Sequence, residues 1–305
     1  VRVTDVEGPL EVRDRFGRVT VSKVGKRCLV HNANGEVTVA DISGLVEVTN
    51  SFGAVEVSNV AEAAVVNSNG RVAARTVRGA ARLETQFGAI DASGIGGDAT
   101  VAGNNSAITL ADVGGSADVR GSFGAIHVTR VKKGAKVVCG NGGVDLSDIG
   151  GAGYVKTSFG LIEAARVAGD LTIENSNGAV RAAGIKGGAN IRTSFAPVSL
   201  DGVEGPVDVD NQNGSIEVRL LPGSPGKPCR KVALKTSFGG IRLFLPENAG
   251  YTVNARTSFG KIRSELPVTA TGTLSEGSLA GKIGDGRCAL DITDSNGSID
   301  LLKGR

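Results

Sequence analysis

Few residues in this chain could do chemistry. His31 and His127 are its only imidazoles and no Gly-x-Ser-x-Gly elbow is present, so a Ser-His-Asp hydrolase has little material to work with. Glu56, Asp91, His127 and Glu163 stand at matching places in successive 36-residue repeats. Stacked one coil apart, at about 4.8 Å, such carboxylates could hold a hard cation or share a proton, as in polysaccharide-cleaving β-helices. Ser199 and Arg242 end that column, and it reads as a solvated face. A second set, Arg120, Lys156, Arg192, Lys235 and Arg256, forms a basic stripe suited to an acidic glycan, a phosphate-rich surface or an acidic column on another copy. Gly140 to Asp145 matches one calcium β-roll nonapeptide, but the place of Asp145 becomes Arg181 one repeat later, and such sites need consecutive copies. No catalytic, cofactor-binding or metal-binding residue is assigned.

The elements that must carry these columns follow from a beat. Phe-Gly or Asn-Gly pairs put their second residue at positions 17, 35, 53, 70, 88, 106, 124, 142, 160, 178, 196 and 214, with Ser106 and Ala196 replacing Gly. The residue before the beat alternates: Phe16, Phe52, Phe87, Phe123, Phe159 and Phe195 interleave with Asn34, Asn69, Asn105, Asn141, Asn177 and Asn213. Units repeating this way are solenoid coils, each burying its apolar face on its neighbours. Period-two alternation around the beat, as in Val46, Val48, Asn50 and Phe52, marks two strands per 18-residue half-repeat, with Gly at the turn.

That parity places both Phe and Asn inward. A buried Asn packed between Phe rings would lack amide partners, at a cost of roughly 1 to 3 kcal/mol per unsatisfied group. Like stacked on like avoids this, so the expected architecture is an all-β, single-chain β-solenoid with 36 residues and four strands per coil, an Asn ladder at one corner and a Phe stack at another. Residues 1–221 form the regular part of one elongated domain, and 222–305 its irregular repeats and C-terminal cap. Pro222, Pro225 and Pro228 mark one inserted loop, and Thr271 to Arg287 a Gly-rich one.

Lys and Arg number 34 against 31 Asp and Glu, so the field of the whole chain selects no partner. Two Tyr and no Trp argue against a sugar-stacking cleft and against a nucleic-acid stacking platform. No apolar run of about 18 residues occurs, and there is neither an initiator Met nor a basic-then-apolar leader, so the chain reads as soluble and processed or truncated. Cys28 and Cys139 lie on inward columns as small buried thiols, whereas Cys229 and Cys288 precede Phe238 and Asn296 by similar offsets, a placement open to a disulfide.

Segments such as Asn175-Ser176-Asn177-Gly178-Ala179-Val180 and Thr257-Ser258-Phe259-Gly260-Lys261-Ile262, with Leu245-Pro246 and Asp294-Ser295-Asn296-Gly297 near the end, resemble the bacterial adhesin-type β-solenoid domains of unknown function. The resemblance implies a β-solenoid displayed outside the bacterial cytoplasm, and it carries over no catalytic residue. The expected function is therefore a non-enzymatic, extracellular, adhesin-like structural protein whose outward columns meet a glycan, a cell-surface polymer or another copy. A subunit of a head-to-tail or laterally associating filament is the alternative, and a polysaccharide-active β-helix enzyme a distant one. No cofactor, nucleic-acid partner or membrane segment is expected.

Overall fold

The computed structural model describes residues 1–222, 229–270 and 275–304; Pro225, Pro228 and the start of the Gly-rich insertion at Thr271 lie outside them. Among the described residues every regular element is a strand. They fall into two units, Val1–Gly151 and Ala152–Arg305, each a β-solenoid.

In the first unit Val19 pairs with Val37, Val37 with Val55 and Val55 with Val72, all in parallel register. One coil therefore holds 18 residues and two strands, such as Ile108–Val113 and Ala117–Phe123. This corrects the 36-residue, four-strand coil. Phe and Asn share one column: Asn34 pairs with Phe52, Phe52 with Asn69, Asn69 with Phe87 and Phe87 with Asn105, and in the second unit Phe159, Asn177, Phe195 and Asn213 do the same. Like stacks on like only where these side chains are buried. They are not: Phe52 is 54%, Phe87 51% and Phe123 52% exposed, and the amide of Asn69 between the first two donates to the carbonyl of Ser51 at 3.3 Å.

The inward place is two residues earlier. Asn32, Asn50, Asn67 and Thr85 fill it in the first unit, and Thr157, Asn175, Thr193 and Asn211 in the second. The amide of Asn50 donates to the carbonyls of Gly35 (3.3 Å), Phe52 (3.2 Å) and Gly53 (3.3 Å), tying one corner to the next. Corner glycines stack directly, with Gly35 N–H donating to Phe52 O at 2.8 Å and Gly53 N–H to Asn69 O at 2.9 Å. Where Ser106 replaces the corner glycine, the inward place two coils on from Asn67 is Gly103, and a Cβ there would lie 2.8 Å from the Cβ of Ser106. Ser106 is itself buried, so its side chain occupies the space that Gly103 leaves.

The core is made of Val, Ile and Leu columns such as Ile90, Ile108 and Ile126 beside Ala92, Leu110 and Val128. A third column, Val77, Ile95, Val113 and Val131, breaks the alternation by following the second after three residues. The cause is a left-handed residue just before it: Asp41, Asn59, Thr76, Gly94, Asp112, Arg130 and Asp148 have φ between 50° and 68°. Such a residue turns the chain without a glycine, and Asn and Asp tolerate it best.

Past Asn213 the rhythm loosens, with Val207 pairing to Val232 across a 25-residue step. The strands Cys288–Asp294 and Ile299–Lys303 sit between the coil of Val232–Lys235 and Ile241–Leu245 and the coil of Tyr251–Thr257 and Ile262–Ser264. The last coil in sequence is thus inserted between two earlier ones. Ser278–Ile283 then runs antiparallel along Tyr251–Thr257 and occupies its outer edge, the classical liability of an open sheet end. Cys229 and Cys288 are disulfide-bonded. Cys28 and Cys139 are free and buried as expected, and burial pushes the Cys28 thiol up to about 11, leaving it protonated at neutral pH.

Candidate functional site

The acid column does not assemble. With 18 residues per coil, Ala73 lies between Glu56 and Asp91, and Thr109 between Asp91 and His127. Glu56 pairs with Arg75 at 2.8 Å, Asp91 with Arg71 at 2.7 Å, and in the second unit Glu163 with Arg181 at 3.2 Å. Among the described residues no group of three or more His, Cys, Asp or Glu could hold a metal ion. His127 faces Asp145 at 3.6 Å, while His31 lies on the other strand series, beside Arg13 and Thr49.

The basic stripe is likewise diluted. Arg120, in the first unit, stands between Ala102 and Val138 and bonds Asp118 at 2.9 Å. In the second unit Glu174 lies between Lys156 and Arg192, and Asp210 between Arg192 and Lys235. Lys156 bonds Glu174 at 2.8 Å, Arg192 bonds Asp208 at 2.9 Å, and Lys235 bonds Asp210 at 3.3 Å. The hydrogen bond to Lys156 holds the Glu174 carboxyl below the usual range, and that to Asp208 holds Arg192 up. Arg256 sits beside Thr293. Four of the five cations are neutralised locally, and each exposed pair is worth little to stability, about 0 to 1 kcal/mol.

A groove of ≈ 700 Å³ runs along the left-handed corner of the first unit. Val77, Ile95, Val113, Val131 and Ile149 form its floor, and Arg130 on its wall is tied to Asp112 by two bonds of 2.6 and 2.9 Å. That pairing holds the Asp112 carboxyl below its ordinary range.

The exposed feature without a packing explanation is the Phe and Asn column at the glycine corner. Eight of the nine phenylalanines point into solvent: Phe16, Phe52, Phe87 and Phe123 in the first unit, and Phe159, Phe195, Phe238 and Phe259 in the second. The ninth, Phe244, lies under the guanidinium of Arg219 at 3.9 Å. Within each unit two coils separate successive Phe residues, about 9.6 Å at ~4.8 Å per strand. The corner positions of the first unit from Ser51 to Gly143 are Ser, Asn, Gln, Gly, Ala and Phe with one charge, Arg71, itself paired with Asp91. Composition hid this ridge, because few aromatics in total says nothing of their alignment.

One buried acid stands out at the C-terminal end. Asp294 takes the inward corner place beside Thr257 and is 2% exposed; its Oδ1 accepts the Asn296 N–H at 3.1 Å and its Oδ2 has no partner. Burial raises its pKa, partly offset by the N–H groups of Asn296 and Ser295. A raised folded-state value means that stability is full below the usual carboxylate pKa and declines as pH rises through the folded one. Asp294→Asn, which restores the amide found at Asn50 and Asn211, is expected to raise stability near neutral pH by about 1 kcal/mol and to flatten the decline. Urea unfolding from pH 4 to pH 8 measures this; an unchanged slope would show that Asp294 is ionised without penalty.

The Toastrack DUF4097 family model matches residues 10–302, and the chain belongs to that family. It is a family of β-solenoid repeat domains of unknown function, and the match indicates no catalytic class. No curated protein and no solved structure matches the chain.

Proposed function

We propose that this protein is a non-enzymatic display module of a bacterial surface, acting through the outward ridge at its glycine corner. The observation that carries the reading is the aromatic column itself. Half-exposed Phe residues repeated on every second coil lower solubility and add little to a core already filled by Val, Ile and Leu, so a binding role accounts for their exposure. The ion-paired faces support the same assignment, since an acidic polymer would have to compete with Asp118, Glu174, Asp208 and Asp210 for the stripe.

The test is retention on an insoluble bacterial envelope fraction. Changing Phe52, Phe87 and Phe123 together to Ser should abolish retention with the fold intact, whereas changing Arg192 and Lys235 to Ser should leave it. No new reducing ends should appear in the polysaccharide. Retention lost only in the Arg192 and Lys235 variant would return the function to the basic stripe, and reducing ends released in proportion to protein would make it an enzyme.

A further inference from the structure

Resting on that reading, we infer that the ligand of the corner ridge is an uncharged, extended, β-1,4-linked polysaccharide lying along the coils of the first unit. Three features point there. The first is charge. Arg71 is the one ionised residue at the corner positions between Ser51 and Gly143, and it is neutralised by Asp91, in a protein whose other faces are laced with ion pairs. A strip whose one charge is already paired, flanked by charged columns, matches a neutral partner and desolvates at low cost, whereas a polyanion would have to displace Asp91 to find a cation there.

The second feature is chemistry. Phe alternates with Asn along the ridge, and Ser or Gln precedes most of these residues. Phe rings offer apolar faces to the C–H side of a sugar, and the exposed amides of Asn105 and Asn141 offer both a donor and an acceptor to its hydroxyls. The third is spacing. Phe recurs every second coil, about 9.6 Å apart. A β-1,4-linked chain in its two-fold extended form turns each sugar over relative to the last and so presents the same face at every second sugar, a repeat close to two strand spacings. Successive rings can therefore meet equivalent faces of alternate sugars without strain in either polymer.

A second copy of the protein fits less well. The three Phe of this strip, Phe52, Phe87 and Phe123, at 51 to 54% exposure, offer on the order of 300 Å² in a single file, less than half of the ~800 Å² per partner of a stable protein interface. A linear ligand covers such a file; two ridges facing one another touch along a line.

The experiment uses the full chain with microcrystalline cellulose and chitin as probes, heparin as the charged comparison, and sedimentation velocity to follow self-association. Binding to at least one neutral polymer is expected, unchanged as salt shortens the Debye length from about 10 Å to about 3 Å. It should weaken by roughly tenfold or more when Phe52, Phe87 and Phe123 become Ser, since three apolar contact faces are removed together. Circular dichroism and the melting temperature report the fold of that variant, and Phe87→Ser alone serves should the triple fail to fold. Wild-type protein that ignores both neutral polymers, or a Phe87→Ser variant that binds as tightly as wild type, overturns the ligand assignment. Self-association lost in the variants, with no glycan binding in any form, also overturns it while leaving the display reading intact; envelope retention untouched by the ridge would sink that reading instead.

Discussion

Breaking the Cys229–Cys288 bridge is expected to cost more than any exposed substitution in this protein. The bond closes a loop with a sequence separation of 59, and loop-closure entropy for that length corresponds to about 4 kcal/mol. The topology concentrates the loss. Cys288 opens the strand that inserts between the coil of Val232–Lys235 and that of Tyr251–Thr257, so the bridge holds the inserted coil against a neighbour far away in sequence. Replacing both cysteines by Ser should lower the urea midpoint and make the chain beyond Cys229 the first to be cut by protease. The free thiols do not complicate the comparison, because Cys28 and Cys139 are buried and burial raises both. Equal midpoints for the bridged protein and the double variant would show that pairing of the strands alone fixes this end.

Gly88→Val should destabilise by roughly 2 to 6 kcal/mol, from backbone strain of about 1 to 3 and overpacking of about 1 to 3. Gly88 has φ 132°, and a Cβ there would meet the carbonyl oxygen of Gly70 at 2.3 Å and its carbon at 2.5 Å. Both atoms belong to the backbone of the adjoining coil, whose distance is set by the strand ladder, so neither can move aside alone. Ala196 shows what the site admits, since it holds the same corner place at φ 119°. Ala196→Gly should accordingly gain up to about 1 kcal/mol, the relief of strain being partly offset by the greater freedom of glycine in the unfolded chain. Unfolding curves of the two variants should move in opposite directions; a Gly88→Val midpoint equal to wild type would mean that the corners are loosely stacked.

Much of the fold is legible in the residues. The beat of Phe-Gly and Asn-Gly pairs marks the corner, because glycine readily takes the positive φ of Gly35 and Gly53 and leaves room for the adjoining turn. Val19, Val21 and Val24 and their repeats mark the core, and Cys28 and Cys139 fall on it. The loosened rhythm after Asn213 marks where regular pairing ends. Even the left-handed corner leaves a trace, the three-residue step from Val21 to Val24 in an otherwise two-residue period, although Thr76 and Arg130 at that corner have no glycine signature.

What the amino-acid sequence by itself determined is a stack of β coils with glycine corners and aliphatic columns, since alternation and turn chemistry are local properties that each half-repeat states for itself. The length of a coil, the outward turn of Phe and the order of the last coils were decided only by the tertiary structure. A period of 36 in residue type is compatible with coils of 18 or of 36, and only hydrogen-bond register distinguishes them. Parity counted along a strand fails at a corner, where the chain leaves the pleat, so Asn50 points in and Phe52 out despite equal parity. With Phe outside, the column that looked like buried packing became the candidate site. With 18 residues per coil, Glu174 and Asp210 stand in register beside Lys156 and Lys235 and pair with them, while Glu56 and Asp91 pair with Arg75 and Arg71, each two places along from the uncharged Ala73 between them.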